Sequence, residues 1–157
     1  MASFERTFCL QVPSSTENLA LIREFVAAIG EQAGFNDNEI ARLALAVDEA
    51  CTNVIEHSYE NEATHEVTVR VTVDDEEIVF EVIDRGKSFD PTQAPVLPVE
   101  ELIRQRRSGG LGLRLIRTIM DDVQYRIVPG EKNELRMVKK RRPAAPGPAT
   151  PAPGAPR

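Results

Sequence analysis

VTVRVTVDDEEIVFEVID, residues 67–84, decides the fold class. Val67, Val69, Val71 and Val73 alternate with Thr68, Arg70 and Thr72, the period-two pattern of a strand with one buried face. Asp74-Asp75-Glu76 turns the chain, Ile78 to Ile83 returns it, and the pair reads as an antiparallel hairpin ending at Asp84. Before it, Phe4 to Val12 alternates in the same way and predicts a first strand. Ser14 with Glu17, and Asn36 with Glu39, have capping-box spacing, and each precedes apolar residues at helical intervals: Leu19, Ile22, Val26 and Ile29, then Ile40, Leu43, Val47, Ala50 and Val54. The second helix is expected to run to about Ser58. After the hairpin, Leu111, Leu115, Ile116 and Ile119 mark a third helix, and Val123–Val128 with Leu135–Val138 a closing hairpin around Pro129-Gly130. Helices separated by hairpins predict an α+β two-layer sandwich: a mixed, mainly antiparallel sheet with three helices on one face.

The 157 residues, 41% of them hydrophobic, suffice for one domain, expected over residues 1–142. From Pro143 the chain is almost wholly Pro, Ala and Gly, and residues 143–157 read as a disordered tail. A formal charge of −6 argues against nucleic acid or an anionic membrane as the main partner. Cys9 and Cys51 form no CxxC and are expected as buried, reduced thiols. No apolar run has the length of a membrane span or the form of a signal peptide, so a cytoplasmic location is expected. Residues 91–108, with three prolines and Arg104, Arg106 and Arg107, make a connection long enough to be a functional lid.

Three short stretches carry candidate chemistry. In Glu49-Ala-Cys-Thr-Asn53, the four-residue spacing sets Glu49 and Asn53 on one helix face, with Ala50 and Val54 turned to the core. Magnesium takes oxygen ligands, so the Asn53 amide oxygen with the phosphates of a nucleotide suits it, and Glu49 one turn away suits a general base. In isolation the pair also reads as a solvated helix face, and His57 reads as a helix-end packing residue. In Asp84-Arg-Gly86-Lys-Ser-Phe89-Asp90, an ionised carboxylate is acceptor-only and would take a hydrogen bond from the exocyclic amine of adenine. Gly86 lets a flat ring approach the backbone. The plain alternative is an Asp-x-Gly turn closing a strand. In Gly109-Gly110-Leu111-Gly112-Leu113, glycines directly before a helix would present unpaired N–H groups to phosphate, although an isolated run of this kind is also a flexible turn. Arg107 and Arg106 stand close enough in sequence to reach a terminal phosphate, or are simply solvated.

In this order the three stretches resemble the N, G1 and G2 boxes of the GHKL ATPases, which share the Bergerat ATP-binding fold. The layout from Phe4 to Lys140 is similar to that of the anti-sigma-factor serine/threonine kinases, most closely at Asn53–Tyr59, Asp84–Asp90 and Gly110–Asp121. The resemblance implies ATP and Mg2+ as cofactors, Glu49 as the base and Asn53 as the magnesium ligand. Asp84, Gly86 and Phe89 would lie on the adenine side, Gly109, Gly110, Leu111, Gly112 and Leu113 around the phosphates. It implies a homodimer whose partners are a sigma factor and a small STAS-type antagonist that is phosphorylated on Ser or Thr. One departure stands out. Related ATPases often open the last strand with Gly-Thr, whose threonine helps to hold adenine, whereas this chain has Lys132-Asn133-Glu134-Leu135. Two other readings remain open: an ATP-gated binding module without phosphate transfer, and a partner-switching kinase whose target is not a sigma factor.

Overall fold

The computed structural model describes residues 5–59, 64–86, 109–128 and 131–141, with backbone alone at 57–58 and 109–112. The first strand, β1 (Arg6–Pro13), is followed by a 3-10 turn (Thr16–Asn18) and two helices, α1 (Leu19–Gln32) and α2 (Asp37–Asn53). The chain then forms the expected hairpin of β2 (Glu66–Val73) and β3 (Glu77–Asp84), a third helix α3 (Gly109–Ile119), and a last hairpin of β4 (Asp122–Val128) and β5 (Lys132–Lys140). The strands lie in the order β1-β2-β3-β5-β4, and all four pairings are antiparallel. Putting β5 between β3 and β4 makes β3 central and sets Asp84 opposite Asn133.

The alternation read in residues 67–84 is the alternation of burial. Val67, Val69, Val71, Val73, Ile78, Phe80 and Val82 are buried, and Leu135 and Met137 continue that face on β5. Ile22, Val26 and Ile29 of α1, Leu43, Val47 and Ala50 of α2, and Ile116 and Ile119 of α3 belong to the same apolar core. Each full burial of such a side chain contributes about 1.5–3 kcal/mol, so this face fixes the register of every strand.

Of the two capping motifs, only one forms. The Asn36 side chain accepts from Glu39 N–H at 2.9 Å and starts α2. Ser14 is instead fully buried, and its Oγ accepts from the His65 N–H at 3.2 Å. With Ser14 engaged across the sheet end, α1 begins only at Leu19, after the 3-10 turn. Cys51 is buried, and burial pushes its thiol well up, whereas Cys9, against expectation, is exposed on β1. Among the described residues no helix is long and apolar enough to cross a membrane. Residues 91–108, expected as a lid, and residues 143–157, expected as a tail, both lie outside the described residues.

Candidate functional site

The second helix delivers Glu49 and Asn53 from its last turn. It does not continue as α-helix to Ser58: from Val54 to Ser58 the backbone widens into a π turn, closed by Tyr59 N–H donating to the Val54 carbonyl at 3.0 Å. Such single π turns often occur where a helix serves a site. Asn53 stands at the junction with only 6% of its surface exposed, and among the described residues its Nδ2 has no hydrogen-bond partner. A buried, unsatisfied amide costs about 1–3 kcal/mol, a polar demand that a bound group would meet. Glu49, half-buried, is held above the usual carboxylate range, chiefly by burial and then by the negative charges of Asp48 and Glu56. Asp48 is itself paired with Arg23 at 2.7 Å.

The end of β3 is built from a second set of buried polar groups. Asp84 is 3% exposed, and its Oδ1 accepts from Gly86 N–H at 2.9 Å and from Asn133 Nδ2 at 3.0 Å. Asn133 Nδ2 also donates to the Gly86 carbonyl at 3.0 Å, so one amide ties the carboxylate to the loop beside it. A carboxylate offers about four lone-pair sites, all of them acceptors when it is ionised.

Tyr59 brings the two sets to one end of the domain. Its hydroxyl accepts from the Arg85 N–H and donates to the Glu66 carbonyl, each at 2.8 Å. Its ring stacks on His65 with centroids 4.5 Å apart and planes within 5°. Burial raises the pKa of Tyr59, which keeps the hydroxyl protonated and able to donate. The chain leaving α2 is therefore bonded to the residue directly after Asp84. A cleft of about 520 Å³ opens beside Tyr59, Asp84, Arg85 and Lys132, but neither Glu49 nor Asn53 lines it.

The glycines lie inside α3, not ahead of it: the helix begins at Gly109, so Gly109, Gly110, Leu111 and Gly112 form its first turn. The phosphate argument survives, because the first four N–H groups of any helix lack intrahelical acceptors and the dipole is positive there. Their position follows from packing. Thr118 and Ile119, at the far end of α3, share a cleft with Asn36, Glu39 and Leu43 near the start of α2. At 1.5 Å per residue, returning along α3 from Ile119 to Gly109 covers about 15 Å, the same rise as Leu43 to Asn53. The glycine turn therefore comes back toward the Glu49–Asn53 end. Leu113, in the next turn, is buried. Phe89 and Arg107 lie outside the described residues.

Among the described residues no group of three or more His, Cys, Asp or Glu side chains could hold a metal. A divalent ion here would need few protein ligands, which fits magnesium, and the unsatisfied Asn53 amide is a ready donor of one, since rotating it by 180° exchanges nitrogen and oxygen.

Sequence reasoning undervalued two residues. Asn133 was visible only as a departure from Gly-Thr, and the signal that gives it a role is its register opposite Asp84. Tyr59 adjoins the first motif, but its partners are contributed by β2 and by the residue after β3, and no local pattern announces them.

Residues 12–139 match the family described as histidine kinase-like ATPase domain. Similar relatives include the serine-protein kinase RsbW of Bacillus licheniformis, 36% identical over 77% of this chain and 78% of the relative. The serine-protein kinase RsbW of Bacillus subtilis is 35% identical over 73% and 74%, and that of Listeria monocytogenes serotype 4a 37% identical over 79% and 82%.

Proposed function

We propose that this chain, which belongs to the histidine kinase-like ATPase domain family, is an ATP-dependent protein serine/threonine kinase that acts as an anti-sigma factor by partner switching. It would hold a sigma factor and phosphorylate a Ser or Thr of a small STAS-type antagonist, as a cytoplasmic homodimer with neither nucleic acid nor membrane as a direct partner. The similarity to RsbW kinases along three-quarters of both chains supports the class. The observation that carries catalysis is Glu49: a half-buried carboxylate with a raised pKa, one helical turn from a buried amide that lacks a partner among the described residues. A module that only bound nucleotide would have less need for a carboxylate there.

In this reading Glu49 accepts the proton of the attacking hydroxyl, a role worth about 10²- to 10⁴-fold in rate. Its raised pKa brings it nearer the working pH and makes it a better base than a solvated glutamate. Asn53 would ligate magnesium, which supplies neutralisation of phosphate charge when bound. Asp84 accepts from the 6-amino group of adenine, and Gly86 leaves room for the ring; Phe89 belongs to the same side. Gly109, Gly110, Leu111 and Gly112 would offer their helix-start N–H groups to phosphate, Leu113 would anchor that turn, and the terminal phosphate is assigned to Arg107. Transfer of a phosphoryl group needs mainly such positioning.

The test is transfer itself. Wild type and Glu49→Ala are incubated with magnesium and ATP labelled at its terminal phosphate, together with nucleotide-depleted lysate of the source cells. One small protein labelled on Ser or Thr by wild type alone supports the proposal. ATP binding without transfer favours the ATP-gated module, and a labelled substrate with no RNA polymerase subunit recovered alongside the chain favours a target other than a sigma factor.

A further inference from the structure

Asn133 is 3% exposed and uses one nitrogen to bond two acceptors, Asp84 Oδ1 and the Gly86 carbonyl, each at 3.0 Å. The atom between those two oxygens must be the amide nitrogen, because a carbonyl oxygen there would face two acceptors. Two partners of Asp84 Oδ1, Asn133 Nδ2 and Gly86 N–H, are both donors. A proton placed on that oxygen would point at N–H groups, so Oδ1 can only accept. The register pairing of Asp84 with Asn133 holds the arrangement across the central strands.

We propose that Asn133 is a positioning residue that sets purine specificity, by holding Asp84 as a fixed, acceptor-only carboxylate and drawing the Gly86 backbone against it. This deepens the function proposed above and rests on its placing of adenine at Asp84. Where related ATPases carry threonine, a single hydroxyl has one hydrogen to donate, while the amide of Asn133 has two and binds carboxylate and loop together. The ligand class so selected is a purine nucleotide with an amine at position 6. A 6-oxo purine would set its carbonyl oxygen against the carboxylate, two acceptors with no hydrogen between them.

The probes are ADP and IDP with magnesium, which differ at ring position 6 and are not consumed by transfer. Binding of each is measured by calorimetry for wild type, Asn133→Ala, Asn133→Thr and Asn133→Asp, with thermal melting alongside. Wild type is expected to prefer ADP. Asn133→Ala should cut the ADP:IDP affinity ratio about tenfold, since one hydrogen bond to a charged group is lost, and Asn133→Thr should fall between them. Asn133→Asp sets two carboxylates in contact, and one must take up a proton and become a donor. The shared proton lies between the two facing oxygens and neutralises one charge of the pair, so the ADP:IDP ratio of this variant should fall toward that of Asn133→Ala and rise with pH as the proton is lost, a pH dependence that loosened packing would not produce. If Asn133→Ala fails to fold, the threonine and aspartate variants carry the test. A lower melting temperature with an unchanged ratio in every folded variant overturns this inference alone, leaving Asn133 a structural residue. A wild type that binds ADP and IDP equally overturns the adenine assignment of Asp84 as well.

Discussion

Replacing Asp84 by asparagine should abolish useful ATP binding while leaving the fold nearly intact. The two side chains have the same shape, and the carbonyl oxygen of an asparagine can accept both bonds now made to Oδ1, from Gly86 N–H at 2.9 Å and Asn133 Nδ2 at 3.0 Å. What is lost inside the protein is the charge on the acceptor, a cost of about 1 kcal/mol or less for bonds that persist. The other end of the substituted side chain becomes an NH2 group, and on the proposed pose it faces the 6-amino group of adenine, donor against donor. Losing a hydrogen bond to a charged group costs about 1.5–3 kcal/mol, and leaving a buried donor unpaired about 1–3 more. The sum, about 2.5–6 kcal/mol, is about 10²- to 10⁴-fold in Kd. Competition calorimetry against ADP measures the affinity, and urea titration measures the stability. Binding within threefold of wild type would refute the reasoning, because no acceptor role for Asp84 could then be sustained. A loss of binding accompanied by a collapse in stability would refute it differently, showing that the charge of Asp84 supports the fold rather than the ligand.

Further predictions rest on single contacts. Tyr59→Phe removes the hydroxyl shared by Arg85 N–H and the Glu66 carbonyl and should cost about 1–3 kcal/mol by urea unfolding, with ATP affinity reduced several-fold as the strand end loosens. Asn36→Ala removes the cap of α2 and should cost about 1 kcal/mol, seen as a lower urea midpoint at unchanged slope, with ATP affinity unaffected. The rate of phosphoryl transfer should fall as pH drops through the raised pKa of Glu49, a limb lying above that of an ordinary glutamate, and Asp48→Asn should move this limb to lower pH by removing a negative neighbour. The same shift gives a stability test. A carboxylate whose pKa is higher folded than unfolded weakens the fold once pH rises above both values, so Glu49→Gln should be more stable than wild type at neutral pH, the advantage vanishing below the unfolded pKa. Inactivity without that gain would place the cause of the activity loss elsewhere.

How much of this was legible depended on the range of the interaction concerned. Alternation in residues 67–84 became a central hairpin because a buried sheet face permits one parity, and Asn36 with Glu39 became a real cap because both partners lie within four residues. Ser14 with Glu17 has the same spacing and failed, because His65, far along the chain, offered Ser14 a partner across the sheet end. The α2 helix was readable to Asn53, but its widening into a π turn involves Tyr59, whose hydroxyl is engaged by β2 and by Arg85. At the site, Glu49, Asn53, Asp84 and Gly86 were nameable from motifs. Asn133 was nameable only once β5 was known to lie beside β3, a non-sequential pairing that no local period encodes.

The distribution of buried polar groups argues that this end of the domain was shaped for a ligand rather than for stability. Asn53, Asp84 and Asn133 are each less than 7% exposed, among buried residues that are otherwise apolar apart from Ser14 and Glu134. Apolar residues of similar volume would pack there at lower cost, since a buried polar group gains from folding only to the extent that it is paired. Asp84 and Asn133 meet that condition by bonding to each other, and Asn53 does not, keeping a nitrogen without a partner among the described residues. Glu49 adds a carboxylate whose charge is disfavoured by burial and by two like-charged neighbours. On the proposed function, Asn53 and Glu49 are the unfavourable pair without ligand and would become favourable when a cation occupied the space beside them, while Asp84 would gain a further donor from the adenine amine. The strain is therefore recoverable as binding free energy, and it is drawn from the one end where Tyr59 bonds the chain leaving α2 to the chain leaving β3.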